Sequence, residues 1–437
     1  MGDPLAYVRA VHFAATIIAA GVVIFDVAVA APAFAAAANT PDCPDLNRGI
    51  ARLRARWTWL VWVSLAVAAV SGAIWLVLLA ADIYAAPIAQ IWRDGGMWTV
   101  ASETRFGQML LARLAAAGLL AASLPMRRRS ADRHLWSAGA IVLAIAVLIG
   151  PAWTGHAGAT PGIAGEFPLA ADALHLLAAG AWLGGLPPLA TLLAAAWRGK
   201  EPRWATVTAL AVQRFSLLGV ISVSTLLASG ITNSWYEVGT LNNLFATSYG
   251  QLVLIKIGLF AAMIGLASIN RFYLTPRLAT AGTVRRLYHS RLAETGLGFA
   301  AVIVVGFLGA MAPASHMHHN AAIPEGAAFV HIHSNAGMAD VTIMPGRVGT
   351  ARATIRLWNE EFKPLAAEQL TFGLMLRAPG TGSKLIIRSP AQDQDGSWTV
   401  DRLELPQAGN WTVTIDATLV DKRRLLLDAP IAIEPEQ

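Results

Sequence analysis

The chain has 437 residues, of which 55% are hydrophobic and 14% are charged, whereas an ordinary soluble domain carries about 25% charged residues. This composition excludes a purely soluble protein and indicates a polytopic membrane protein. The formal net charge of +6 comes mainly from arginines in short connections between apolar stretches, where arginine orients membrane helices. We therefore do not expect nucleic-acid binding. The single cysteine, Cys43, excludes an intramolecular disulfide framework.

Eight apolar stretches, all before residue 315, are long enough to cross a bilayer as α-helices. The predicted membrane helices are 6–34, 58–81, 107–125, 136–152, 169–197, 207–231, 250–269 and 296–313. The first stretch lacks a basic start and a small-residue cleavage pattern, so we expect it to remain as a helix. Residues 329–437 have soluble composition and short alternating runs such as "NWTVTIDATLV". They predict a small all-β, immunoglobulin-like sandwich of about seven strands.

The distribution of arginine predicts the orientation of the chain in the membrane. The connections after the first, third, fifth and seventh helices are rich in arginine, for example at Arg54 and Arg286, whereas residues 153–168 and 232–249 contain neither Lys nor Arg. Under the positive-inside rule both termini lie outside. For a bacterial inner membrane this places both termini and the C-terminal domain in the periplasm.

The first four helices and the last four share a spaced pattern. In both halves a histidine, His12 or His175, is followed nine positions later by a glycine. In both halves an arginine-aromatic pair also precedes a Ser-Gly pair, and the spacing between the two pairs is the same. The segments "TRFGQ" and "TSYGQ" are each followed by a cation, Arg113 or Lys256, five positions after the glutamine. This order indicates two parallel four-helix repeats related by an axis along the membrane normal.

These patterns give the predicted domain organisation. It comprises 1–152 as the first four-helix repeat, 153–313 as an outer loop and the second repeat, 314–328 as a His-rich linker, and 329–437 as the periplasmic β-sandwich.

Four histidines are expected near the outer membrane face. His12 and His175 lie near the outer ends of helices one and five, and His156 and His316 follow helices four and eight. Imidazole is the commonest metal ligand and can also bind haem iron, and ionisable groups within membrane helices are candidates for function. The alternative is that each histidine makes one hydrogen bond between helices and serves packing alone.

Further polar residues support either a metal or an anion at this level. Arg113 and Lys256, five positions after Gln108 and Gln251, lie at a depth similar to the histidines. Fixed cations would repel copper but would suit haem propionates. Asp26 lies deeper in the first helix, where it is either a cation relay or a carboxylate that points to water.

The tract "PASHMHHN" follows the eighth helix, and "VHIH" opens the C-terminal domain. Their metal-capable residues are His316, Met317, His318, His319, His331 and His333. Thioether favours Cu(I), whereas imidazole accepts Cu(I), Cu(II) or Zn. His331 and His333 share one face of a strand. For His318 and His319 a solvated linker is the alternative interpretation.

Several segments resemble one membrane-protein family. The segments "TGHAG" (154–158), "ADALHLLAAGAWLGGL" (171–186), "RFS" (214–216), "TSYGQLVLIK" (247–256) and "NRFYLTP" (270–276) are similar to those of the copper resistance protein D (CopD) family. The resemblance implies an eight-helix inner-membrane protein of copper homeostasis that moves copper inward from the periplasm with a periplasmic copper-binding partner. The C-terminal domain looks like the β-sandwich domains fused to such proteins.

Three functions follow as hypotheses. The first is a copper-handling membrane protein, not an enzyme, that passes copper from the outer tract to His12, His156, His175 and His316. The second is a redox protein that binds haem b through pairs of these histidines. The third is a membrane anchor and assembly partner for a copper enzyme.

A nucleotide-binding loop is missing from the sequence, so we expect that the protein does not bind ATP. We expect the lipid bilayer to surround the helices.

Overall fold

The computed structural model describes residues 4–38, 44–84, 86–129, 133–154, 163–199, 201–280, 282–311, 314, 324, 326–334, 337–359, 364–378 and 381–435. The chain divides into a helical unit, Met1–Met317, and a β unit, His318–Gln437.

The predicted set of eight membrane helices is confirmed. Spans 1 to 8 are Pro4–Ala37, Pro44–Tyr84, Arg105–Met126, Leu135–Thr154, Glu166–Arg198, Trp204–Glu237, Ser248–Arg277 and Thr283–Leu308. The largest differences from prediction are in spans 2 and 8, which begin at Pro44 and Thr283 instead of residues 58 and 296. In both cases arginine-containing turns continue the helix beyond its apolar part, and such turns escape a search for hydrophobicity alone.

Four spans are not single continuous α-helices, namely spans 1, 5 and 7 and span 4, which ends in a 3₁₀ turn, Gly150–Thr154. Span 1 consists of α-helices Pro4–Phe25 and Ala31–Ala38 around a π-helical turn, Asp26–Ala30. Span 7 passes from α-helix Ser248–Ile269 to a π-helical turn, Asn270–Leu274, and a 3₁₀ turn, Thr275–Arg277. Span 5 consists of Ile163–Leu183 and Leu186–Arg198. Single π turns within α-helices are frequent at functional sites.

Short helices precede spans 3 and 7 and explain the Thr-x-x-Gly pattern that the segments "TRFGQ" and "TSYGQ" share. They are Ile88–Arg93, Gly96–Glu103 and Leu241–Ala246. The hydroxyl of Thr104 donates to Val100 O at 2.6 Å and accepts from Gly107 N at 3.0 Å. Thr247 repeats both bonds, at 2.6 and 2.9 Å. A Cβ on either glycine would collide with the backbone of the preceding short helix, so each motif fixes a tight corner.

Spans 1 and 5 form the centre of the helical unit. In the most apolar 18-residue stretch of each, 67% and 72% of the residues are buried, whereas the corresponding fraction is 11–39% in the other six spans. They touch at equivalent positions, because a Cβ on Gly21 would lie 2.5 Å from Gly180 O, and one on Gly184 would lie 2.8 Å from Gly21 Cα. Small residues let membrane helices approach this closely. A contact between equivalent residues is the expected arrangement around a pseudo-two-fold axis.

This contact sets the direction of the two histidines. Nine residues separate each histidine from its glycine, which corresponds to about two and a half helical turns and about 14 Å. His12 and His175 therefore lie on the faces of spans 1 and 5 that point away from the central contact. Each histidine points into its own four-helix repeat.

The β unit contains two antiparallel sheets, as predicted. Its strands are Ala328–Ser334 (β1), Gly337–Met344 (β2), Gly349–Trp358 (β3), Ala367–Ala378 (β4), Thr381–Arg388 (β5), Ala391–Gln392 (β6), Trp398–Leu405 (β7), Gly409–Leu419 (β8) and Arg424–Ile433 (β9). The sheet orders are β1-β2-β3-β7-β6 and β5-β4-β8-β9. The described residues thus form nine strands instead of about seven, and β6, with two residues, is too short to show an alternating pattern.

The central helix contact predicts that alanine in place of a glycine destabilises the protein at the contact but not at a glycine of the membrane helices that has open space around it. Gly21→Ala should destabilise the protein by about 1–3 kcal/mol, because the new methyl group meets backbone atoms that cannot rotate away. Gly258→Ala is the matched control, since a Cβ there meets no atom within 4 Å. Thermal unfolding in detergent measures both variants, and an equal midpoint for the two would contradict the close approach.

Candidate metal sites

His12 is held in a defined orientation by span 2. Its ring is buried, with 2% of its surface exposed, and Nδ1 lies 3.0 Å from Ala68 O and 3.2 Å from Ser71 Oγ. A carbonyl oxygen can only accept, so the hydrogen of the neutral ring is assigned to Nδ1. The lone pair then lies on Nε2, which is buried and finds no hydrogen-bond partner among the described residues. A histidine prepared for metal commonly shows this arrangement.

His175 repeats this orientation in the second half. Its Nδ1 lies 2.9 Å from Ser229 Oγ. Ser229 donates its own hydrogen to Thr225 O at 2.6 Å, so the serine accepts from Nδ1–H and the lone pair again lies on Nε2. Ser71 makes the same donation to Val67 O at 2.7 Å. The repeated Ser-Gly pair therefore supplies the serine that fixes the ring and a glycine that leaves room beside it.

A cation accompanies each histidine, and Arg113 is buried while Lys256 is half-buried. The Arg113 side chain donates from Nε to Val147 O at 3.1 Å, while its Nη2 is buried without a partner among the described residues. Arg113 acts electrostatically on His12, and Lys256 acts on His175. Both cations oppose the accumulation of positive charge at the histidines.

The two halves differ in acidic groups. Next to His175, the Asp172 carboxylate accepts a hydrogen bond from Asn233 at 3.4 Å. Asp172 also interacts electrostatically with Glu237 and Lys256. At the position equivalent to Asp172 the first half has Arg9, whose guanidinium lies 5.0 Å from the centroid of the Trp75 ring. The second half therefore offers a more favourable electrostatic environment for a cation than the first.

Several predicted site residues lie elsewhere. Asp26 faces Arg54, with 3.6 Å between Oδ1 and Nε, so it does not stand alone as a relay. Gln108 is exposed and donates to Ser102 O at 2.8 Å, and Gln251 is exposed. The residues His156, His316, Met317, His318, His319 and Cys43 lie outside the described residues. Within the described part, no group of three or more His, Cys, Asp or Glu residues is arranged to hold a metal ion.

In the β unit His331 is oriented by a carboxylate. Its Nδ1 lies 2.6 Å from Asp340 Oδ1, and Asp340 Oδ2 accepts from Trp358 Nε1 at 2.7 Å. The strand register places His333 opposite Met338, two positions along from the His331–Asp340 pair. The side chain of His333 lies outside the described part. A carboxylate behind an imidazole is the usual support of a metal-binding histidine.

A buried polar cluster in span 8 was missed by the sequence analysis. Arg291 Nη1 lies 2.6 Å from Glu294 Oε2, and Asn270 Nδ2 donates to the same oxygen at 3.2 Å. Arg291 and Glu294 precede residue 296, where hydrophobicity alone places the start of the eighth helix, so the sequence assigns them to a connection. A carboxylate and a cation three residues apart beside an apolar helix were the available signal.

Comparison with known proteins identifies related families. Residues 209–308 match the family model "Copper resistance protein D", and residues 1–166 match "Copper resistance protein D-like, N-terminal domain". Copper resistance protein D of Pseudomonas syringae pv. tomato is 31% identical over 170 residues, which is 37% of this chain and 54% of the relative.

Two other relatives extend the comparison. Copper transport protein CutJ of Bacillus subtilis (strain 168) is 26% identical over 322 residues, 72% of this chain and 56% of the relative. Inner membrane protein YebZ of Escherichia coli (strain K12) is 30% identical over 182 residues, 42% of this chain and 59% of the relative. The chain thus spans little more than half the length of the relatives that it matches.

The cluster in span 8 predicts strong energetic coupling. Glu294→Gln removes the carboxylate from a buried guanidinium and should destabilise the protein by about 3–5 kcal/mol. Adding Arg291→Met to this variant should restore part of the lost stability, because the unpaired charge disappears. Unfolding in detergent of both single variants and the double variant measures the coupling. Additive effects would contradict a buried ion pair.

Proposed function

Because the helical unit belongs to the copper resistance protein D family, we propose that the protein is a copper carrier of the bacterial inner membrane and not an enzyme. Copper is its substrate, taken at the periplasmic face and transferred inward. The names of its relatives, which include a copper transport protein and an inner membrane protein, support this assignment. The arginine-rich connections support the orientation.

The observation that carries the proposal is the orientation of His12. A buried imidazole whose Nδ1–H is bonded to Ala68 O presents an available lone pair at Nε2. Imidazole binds both Cu(I) and Cu(II). His175 presents the same atom in the second repeat. His156 and His316, which follow spans 4 and 8 in the sequence, remain the proposed additional ligands.

The packing favours two copper sites instead of one shared site. His12 and His175 point away from the contact between spans 1 and 5, so a route inward runs within each repeat and not between the repeats. Arg113 near His12 lowers the affinity of the first site for a cation. Asp172 near His175 offsets Lys256, so the second site should bind copper more tightly.

The β unit is the proposed first receiver of copper. His331, oriented by Asp340, and His333 on the same face of β1 would capture the ion in the periplasm. Met317, His318 and His319 lie between this unit and span 8 in the sequence and would pass it on. A periplasmic copper-binding protein is the expected donor.

A second candidate function is haem b binding. The specific observation in its favour is Arg113, a buried cation with a free Nη2 near His12, which suits a haem propionate better than a copper ion. When bound, haem would supply one-electron redox chemistry. The residues that would hold it are the histidine and the cation of each repeat.

One pair of variants tests copper against haem. The double variant His12→Ala/His175→Ala should lose the copper bound by the helical unit, because both Nε2 ligands are removed. His289→Ala is the control, since this histidine is exposed near the start of span 8. Elemental analysis of purified protein gives copper and iron, and the visible spectrum detects haem. A Soret band with stoichiometric iron would reject the copper carrier, and unchanged copper in the double variant would reject the site.

A further inference from the structure

A large cavity opens at the arginine-rich end of the helical unit. Its volume is about 930 Å³, within the size range of small-molecule sites. It lies among span 2 of the first repeat and spans 5, 6 and 8 of the second. Its apolar wall includes Leu53, Trp204, Tyr288 and Leu292.

Three arginines give this cavity its charge. Arg52 and Arg56 are one helical turn apart on span 2, and Arg198 ends the second helix of span 5. Among the described residues none of the three forms an ion pair with a carboxylate. The lining also contains two carboxylates, Glu201 and Asp45, and Asp45 pairs with Arg48 at 2.7 Å. The cavity therefore presents an excess of positive charge.

This charge selects the chemistry of the occupant. Three guanidinium groups repel a copper ion, so the cavity is not a station on the copper route. Guanidinium groups bind phosphate oxygens with paired hydrogen bonds. Arg56 precedes by two residues the apolar part of span 2 that begins at residue 58, which puts the arginines at the level of lipid head groups. Basic pockets between membrane helices at this level suit anionic lipids.

We propose that this cavity binds the phosphate group of an anionic phospholipid of the cytoplasmic leaflet. The three arginines hold the phosphate, and the apolar wall accommodates the start of the acyl chains. Because Arg52 and Arg56 belong to the first repeat and Arg198 to the second, the lipid joins the two repeats where their arginine-rich ends meet.

The test titrates phosphatidylglycerol into the full chain, delipidated in detergent. Native mass spectrometry measures the affinity for the bound lipid. The variant Arg52→Gln/Arg56→Gln/Arg198→Gln should bind this lipid about a hundredfold more weakly, since each arginine near a membrane surface contributes about a fivefold preference for anionic lipid. Arg286→Gln is the matched control, because Arg286 is exposed at the same arginine-rich end and does not line the cavity. It should bind phosphatidylglycerol as the wild type does.

Two further measurements make the outcome decisive. Phosphatidylcholine, which has a phosphate but no net charge, should bind weakly to every variant, and inorganic phosphate should not displace phosphatidylglycerol. Equal affinity of the wild type and the triple variant would overturn the proposal. Displacement by inorganic phosphate would overturn the lipid source and assign a soluble phosphate ligand. Arg198→Gln alone, expected to lose about fivefold, replaces the triple variant if the latter does not fold.

Discussion

The close approach of spans 1 and 5 at Gly21 and Gly184 determines the rest of the helical unit. Because neither position carries a Cβ, the two backbones touch, and equivalent residues of the two repeats meet at one pseudo-two-fold axis. The remaining spans are arranged around this pair and are less buried. Each central helix therefore has one face committed to the other repeat and the opposite face available to its own.

The candidate copper sites follow from that division of faces. The nine-residue spacing directs His12 and His175 away from the axis, where Ser71 and Ser229 fix their ring orientation. The same hydrogen bond between histidine and serine thus occurs in both repeats, with different charged residues around it. Asp172 in the second repeat corresponds to Arg9 in the first, so the two repeats share the histidine and differ in its electrostatic surroundings. The two sites are therefore expected to differ in their affinity for a cation.

Much of this architecture was predictable from the sequence, for specific reasons. The membrane helices appear because a bilayer requires long apolar stretches, and the repeats appear because helix corners and close contacts require Thr and Gly at fixed positions. The partners of His12 could not be predicted, because Ala68 and Ser71 are more than 50 residues away in the chain. Glu294 was missed since hydrophobicity places the start of span 8 too late, and buried ion pairs depend on tertiary packing. The arginine-lined cavity depends on residues from four spans and has no local sequence pattern.

The most direct test of two independent sites is the number and affinity of copper ions bound by His12→Ala and His175→Ala as single variants, measured by calorimetric titration of copper into the purified protein. The account predicts that each variant loses one of the two ions of the helical unit and retains the other with unchanged affinity, and that the ion lost with His175 is the more tightly bound. Loss of both ions in either single variant would show that the histidines share one site and would contradict the arrangement derived from the contact between spans 1 and 5.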